Sequence, residues 1–160
     1  MPRLAISEEF FDEYDGPVEQ VRSWTEADDV APADITVCAR FGTAVDAVIG
    51  RLRRDGIPVV AVKDATGPSG SGVRVATMRA MKGLGFRCVT VVGVSEGVVP
   101  FPPRVTSARV DPWQHRSDLT AEHFLLCGAG TRARDALAVS WHGTPSPLLS
   151  AAVADMPVGA

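Results

Sequence analysis

Four side chains in two short segments of this sequence could act on phosphate groups. Thr77, Arg79 and Lys82 follow a strand-like run, and a cluster of this kind suits contact with a DNA backbone or a response to a bound nucleotide. Arg132 ends a helix-like run, where its planar guanidinium could meet a phosphate that gains charge during transfer. Simpler interpretations stay open: a solvated turn for the first segment and an exposed arginine that stabilises a helix dipole for the second.

The elements predicted around the first segment are those of an α/β fold. Within 73–94, two strand-like apolar runs flank a polar insert over 77–85, and ligands of α/β sheets bind where loops leave the carboxyl ends of strands. Upstream, a strand over 35–39, a helix over 43–54 and a strand over 58–62 form one unit. A right-handed crossover between these two strands implies a parallel sheet.

The rest of the chain predicts further helices and one more strand. Residues 98–113 hold four prolines and no helical or strand period, so we expect a structured loop there. Residues 1–16 are acidic and aromatic and are assigned to an N-terminal arm or linker, which leaves 17–156 as the domain. The remaining predicted elements are a helix over 17–27, a helix from Thr120 to about Arg132, a strand over 136–141 and a closing helix over 147–156.

A polar, glycine-rich stretch over 63–72 is predicted to be a flexible surface connection. It is not a phosphate-binding P-loop, because such a loop ends in Gly-Lys-Ser/Thr and no lysine follows Gly72. The histidines His115, His123 and His142 lack metal-binding spacing, so no metal site is predicted.

Composition favours an ordinary globular domain in a reducing compartment. Sixteen basic and nineteen acidic residues give a net charge of −3, so any contact with nucleic acid would be a local patch. Cys38, Cys88 and Cys127 are far apart and are predicted to be free thiols. The acidic start argues against a signal peptide, and no apolar run approaches membrane-spanning length, so we expect a cytoplasmic protein without a membrane contact.

The two segments resemble motifs V and VI of the UvrD/Rep family of superfamily-one DNA helicases. Those motifs usually read Thr-Met-His-x-x-Lys-Gly-Leu-Glu-Phe and Leu-Leu-Tyr-Val-Ala-x-Thr-Arg-Ala-Arg. The matching residues are Thr77, Met78, Lys82, Gly83, Leu84 and Phe86 in the first, and Leu125, Leu126, Ala129, Thr131, Arg132, Ala133 and Arg134 in the second.

The resemblance spans roughly residues 17–150 and implies the second, C-terminal motor domain of such a helicase. The implied fold is a RecA-like three-layer α/β domain with a mostly parallel central sheet, without the accessory domain that larger relatives insert after the second strand. The implied partners are a first RecA-like motor domain, on the same or a separate chain, and single-stranded DNA, which an isolated domain would bind weakly. The first motor domain would hold most of the ATP and Mg²⁺, so this chain alone should bind neither and should not hydrolyse ATP.

The resemblance also implies roles for individual residues. Arg132 would be a catalytic arginine finger that reaches ATP on the other motor domain. Residues that couple the nucleotide to movement would be Lys82, Gly83 and Thr131, and residues that contact DNA would be Arg40, Thr77 and Arg79.

The chain departs from the family pattern at several positions. Arg79 replaces a histidine, Gly85 replaces a glutamate that contacts the nucleotide sugar, and Cys127 replaces an aromatic residue. Gly128 and Gly130 lie inside the predicted helix, where each costs about 1 kcal/mol relative to alanine. These departures favour an alternative hypothesis, a non-catalytic DNA- or protein-binding module derived from a helicase domain.

Overall fold

A parallel sheet forms the centre of the fold. The structure is a computed structural model that describes residues 3–8, 14–62 and 70–151. In this part of the chain the strands are β1 (Arg3–Glu8), β2 (Ile35–Ala39), β3 (Val59–Val62), β4 (Val73–Thr77), β5 (Phe86–Val91) and β6 (Ala133–Trp141). They lie in the order β1-β6-β5-β2-β4-β3, and every neighbouring pair is parallel.

Helices cover both faces of this sheet. They are α1 (Asp15–Arg22), which continues as a π-helical turn over Ser23–Ala27, α2 (Gly42–Arg54) and α3 (Pro112–Gly130). One hydrophobic core contains apolar residues of α1 and α2, such as Val21 and Leu52, and the other contains Leu126 and Ala129 of α3. The predicted three-layer α/β fold with a parallel sheet is therefore confirmed.

The central strands of the sheet could be predicted from the sequence because they are buried on both faces. Every residue of β2 is buried, as are the first four residues of β4. A strand covered by helices on both faces needs apolar side chains in both directions, so it appears as a continuous apolar run instead of an alternating one. The predicted boundaries of β2 agree with the structure, and those of α2 and β3 differ by one residue.

The N-terminal segment differs from its prediction as an arm. Arg3–Glu8 forms the edge strand β1, which pairs in parallel with β6 over six residue pairs, from Arg3 with Ala136 to Glu8 with Trp141. An unpaired strand edge presents a row of free backbone donors and acceptors, and pairing with β1 satisfies them on this side of β6. The short run between charged residues gave no apolar stretch long enough to predict a strand.

Helix α3 begins at Pro112, well before the predicted Thr120. The Asp111 carboxylate caps the helix by accepting hydrogen bonds from the backbone N–H groups of Trp113 and Gln114, both at 3.0 Å, and a proline at the first helical position suits the first turn. The first half of α3 is mostly exposed, so it lacks the apolar period on which the prediction relied.

Two other predicted segments lie partly outside the described residues. The predicted connection over 63–72 is described only for 70–72, which form a bend. The predicted closing helix over 147–156 is described as far as residue 151, and residues 149–151 are helical.

Candidate functional site

A cleft of about 340 Å³ lies between the segment that follows β4 and the second half of α3. It brings together Arg79 and Lys82 from the first predicted segment and Arg132 from the second. None of its lining residues is acidic, so its charge is positive. The complete lining is Met78, Arg79, Lys82, Phe124, Leu125, Gly128 and Arg132.

A short 3₁₀ turn over Arg79–Met81 presents the first two cations. The Thr77 hydroxyl accepts a hydrogen bond from the Ala80 N–H at 3.2 Å, which closes the turn, while Met78 and Met81 are buried in the core below it. Arg79 and Lys82 are exposed as a result.

Gly83 ends the turn with a φ of +81°, a left-handed conformation that glycine adopts without steric cost. A side chain at this position would meet no atom within 4 Å, so the backbone conformation and not a close contact requires the glycine.

Arg132 folds back on the end of α3 and bridges it to the first segment. Its Nε donates to the Gly128 carbonyl at 3.1 Å, and Nη1 donates to the Leu84 carbonyl at 3.4 Å. The Thr131 hydroxyl accepts from Nη2 at 3.3 Å and donates to the Gly128 carbonyl at 3.0 Å. The Gly128 carbonyl, which lies in the last turn of α3 and lacks a partner within the helix, is satisfied by two of these bonds.

The cations of the cleft are not neutralised by carboxylates of the described residues. Arg79, Lys82 and Arg132 have no ion pair in this part of the chain, in contrast to Arg51 and Arg87, each of which pairs with an aspartate. The bonds of Arg132 go to neutral oxygens, whereas an anionic oxygen would add the attraction between opposite charges to each hydrogen bond. The cleft is therefore suited to an anionic ligand.

The other predicted site residues surround the cleft without lining it. Thr77 is the last residue of β4, Gly83 follows the turn, and Thr131 follows α3. Because the strands are parallel, the carboxyl end of β4 and the amino end of β6, next to Arg132, lie at opposite ends of the strands. The cleft thus runs along α3 on one face of the sheet, and not at the carboxyl ends of the strands, where a site was predicted.

Arg40 does not fit its predicted role as a DNA contact. Its side chain is only 6% exposed and forms a bidentate ion pair with Glu122 of α3, with Nη2–Oε1 and Nε–Oε2 distances of 2.6 and 3.2 Å. The Phe101 backbone N–H donates to the same carboxylate at 3.3 Å, and the Arg40 guanidinium lies 4.7 Å from the centre of the Phe41 ring. The pair joins the end of β2 to α3 and to the loop before it.

Glu122 was not predicted to be the partner of Arg40. A signal was present, because Glu122 lies four and seven residues before the buried Leu126 and Ala129, and this spacing places all three on the core side of α3. A carboxylate on a buried helix face requires a charged partner, and Arg40 is a buried arginine.

No group of three or more metal-binding side chains occurs within residues 3–8, 14–62 and 70–151. Cys38 and Cys88 are buried and Cys127 is half-buried. Burial raises the pKa of Cys38 to about 12, which makes its thiol unreactive. None of the helices described is long and apolar enough to cross a membrane.

Comparison with known proteins identifies the fold. No protein-family model matches the chain, and no curated protein matches it. Among solved structures, it is similar to the C-terminal domain of a possible DNA helicase from Lactobacillus plantarum WCFS1, with a TM-score of 0.63 and 18% sequence identity. The similarity covers 93% of this chain and 78% of that one. The chain therefore has the RecA-like α/β fold of such a C-terminal domain.

Proposed function

We propose that this chain is the second motor domain of an ATP-dependent DNA helicase or translocase. The observation that carries the proposal is the cleft, which joins Arg79 and Lys82 to Arg132. These residues come from two segments that resemble helicase motifs V and VI. The fold shared with the C-terminal domain of a possible DNA helicase supports the same assignment.

In the proposed mechanism, a first motor domain holds ATP and Mg²⁺ and presents the nucleotide to Arg132. Arg132 exchanges its bonds to the carbonyls of Gly128 and Leu84 for bonds to the phosphate. The exchange is favourable because bidentate bonds between two opposite charges replace bonds from the guanidinium to neutral carbonyl oxygens. An arginine that completes a phosphoryl-transfer site in this way contributes about 10³- to 10⁵-fold to the rate.

The hydrogen bonds around Arg132 offer a route from nucleotide to DNA. Arg132 donates to the Leu84 carbonyl, and its own carbonyl accepts from the Phe86 N–H at 2.9 Å. Movement of Arg132 would therefore shift the segment that carries Lys82 and Gly83. Arg79 and Thr77 at the start of this segment would contact single-stranded DNA, a role that Arg40 does not share because it is buried.

The experiment that tests this proposal measures DNA-stimulated ATP hydrolysis by this chain together with a first motor domain. Such a domain would be recognisable by a Gly-x-x-x-x-Gly-Lys-Ser/Thr segment in the same reading frame or in a neighbouring gene. Arg132→Ala should lower turnover by about 10³-fold or more while DNA affinity stays near that of the parent.

Arg134→Ala is the matched control, because Arg134 is exposed two residues further on and does not line the cleft. Its turnover should equal that of the parent. Equal turnover in the Arg132→Ala variant and the parent would remove the assignment of the arginine finger.

A second candidate function is a non-catalytic module that binds DNA or a protein. The observation that favours it is Gly85, which stands where the family pattern has a glutamate that contacts the nucleotide. Gly85 is exposed, and no other atom lies within 4 Å of where its side chain would begin, so no neighbouring side chain replaces the glutamate at this point. Binding of DNA without ATP hydrolysis in the presence of a first motor domain would support this function.

A further inference from the structure

Among the described residues, the large apolar side chains with high exposure all belong to α3 or to the residues just before it. They are Val110, Trp113 and Phe124, which are 81%, 79% and 67% exposed. Trp113 and Phe124 are 11 residues apart, which is three helical turns plus roughly 20° of rotation about the helix axis. They therefore lie on the same side of α3, separated by about 16 Å along its axis. We call this side the aromatic face.

Small polar residues separate the two rings. Ser117 and Thr120 lie on the same side of α3 between Trp113 and Phe124, and both are exposed. The rings therefore do not form the continuous apolar patch that marks most protein-binding surfaces. They are two isolated aromatic surfaces on a polar helix.

The charges available on this side of the helix are positive. The Arg116 guanidinium lies 5.4 Å from the centre of the Trp113 ring, and Phe124 lines the cleft that holds Arg79 and Lys82. Cations thus stand beside both rings.

The acidic residues of α3 and its cap are engaged in bonds within the chain. Asp111 caps the helix, and Glu122 is buried against Arg40. Asp118 accepts hydrogen bonds from the Thr106 N–H and the Gln114 side chain at 2.8 and 2.7 Å.

We infer that the aromatic face of α3 binds single-stranded nucleic acid. Bases would stack on Trp113 and Phe124, while phosphates would lie near Arg116, Arg79 and Lys82. Exposed rings with cations beside them are the combination that single strands require, and the rise of about 16 Å along α3 between the two residues corresponds to roughly five stacked bases. A duplex would not bind in this way because its base faces are already stacked.

This inference adds a DNA contact on α3 to the proposed function. It rests on that function only for the choice of DNA as the ligand. The residues involved in stacking differ from Arg132. The two proposals can therefore fail separately.

The test measures binding of a labelled fifteen-nucleotide oligo-dT to the chain by fluorescence anisotropy at low salt, where phosphate contacts are not screened. Trp113→Ala and Phe124→Ala should each weaken binding by about 5- to 100-fold. Trp113→Phe keeps a ring and should retain most of the affinity. Val110→Ala is the control, because it removes an equally exposed apolar side chain without a ring.

Thermal melting should show that all four variants fold like the parent, since the side chains are exposed. Unchanged affinity in both Trp113→Ala and Phe124→Ala would overturn the inference, and so would an equal loss in Val110→Ala. Self-association through this face, with no oligo-dT binding, would assign it to a second copy of the chain instead. A loss of ATP turnover in Arg132→Ala with normal oligo-dT affinity would support the role of Arg132 as an arginine finger. It would also show that binding of oligo-dT does not depend on Arg132, as the inference requires.

Discussion

The buried ion pair between Arg40 and Glu122 allows a quantitative prediction about stability. Their side chains are 6% and 8% exposed, and Glu122 accepts two hydrogen bonds from Arg40 and one from the Phe101 N–H. Glu122→Ala would leave the Arg40 charge buried without a partner. Breaking a buried pair in this way costs about 3–5 kcal/mol, a large part of the roughly 5–15 kcal/mol that stabilises a typical domain.

Urea denaturation of the parent and the variants measures this cost. The matched control is the exposed pair between Arg87 and Asp135, which has a similar closest distance of 2.7 Å (Nε–Oδ2) but side chains 40% and 49% exposed. Asp135→Ala should cost no more than about 1 kcal/mol, because water screens the charges and solvates the arginine that remains.

The double variant Arg40→Met with Glu122→Leu separates burial of a charge from loss of contacts. It removes both charges and should be more stable than Glu122→Ala, because no buried ion is left unpaired. A cost for Glu122→Ala that equals the cost for Asp135→Ala would refute the argument. A double variant that is less stable than Glu122→Ala would refute it as well.

Two further predictions concern the β3–β4 connection and the loop before α3. Gly72→Ala should destabilise the fold by about 1–3 kcal/mol, because a Cβ there would lie 2.8 Å from backbone atoms of Pro58. Gly85→Ala is the control and should be near neutral in the same urea assay, since a Cβ there would have no neighbour within 4 Å. Equal midpoints for the two variants would contradict the assigned contact. The pKa of Asp118 is lowered from 3.8, chiefly because its carboxylate accepts a hydrogen bond from the Thr106 N–H. Because the folded pKa is the lower one, the ionised carboxylate stabilises the fold fully above its unfolded pKa, and this stabilisation is lost as the pH falls through the folded pKa. The urea midpoints of Asp118→Asn and the parent should therefore differ at pH 7 and approach each other as the pH falls below the folded pKa. A constant difference across this range would exclude the ionised carboxylate as the cause.

Most elements of the fold were predictable from the sequence, whereas β1 and the first half of α3 were not. Strands β2 and β4 contain apolar side chains on both faces, so their composition alone identifies them. The first half of α3 is defined by the Asp111 cap and a proline, with little apolar surface, and β1 is held by backbone pairing with β6. Backbone pairing and a helix cap require few apolar side chains, so these two elements have no clear hydrophobic pattern in the sequence.

The candidate site was predictable in part. The sequence singled out Arg79, Lys82 and Arg132, and the structure brings them into one cleft. It did not show that Arg40 is paired with Glu122, because that pair joins residues far apart in the chain whose partnership depends on how α3 packs on the sheet. Contacts of this kind follow from tertiary structure and not from a local motif.

ATP hydrolysis in the presence of single-stranded DNA is the most direct test of the proposed motor function. It would be measured for this chain alone, for a first motor domain alone and for the two together. We expect turnover only when both are present, because the chain contributes Arg132 to a nucleotide that the other domain holds. The same low turnover in the mixture and in the first motor domain alone would contradict the central claim.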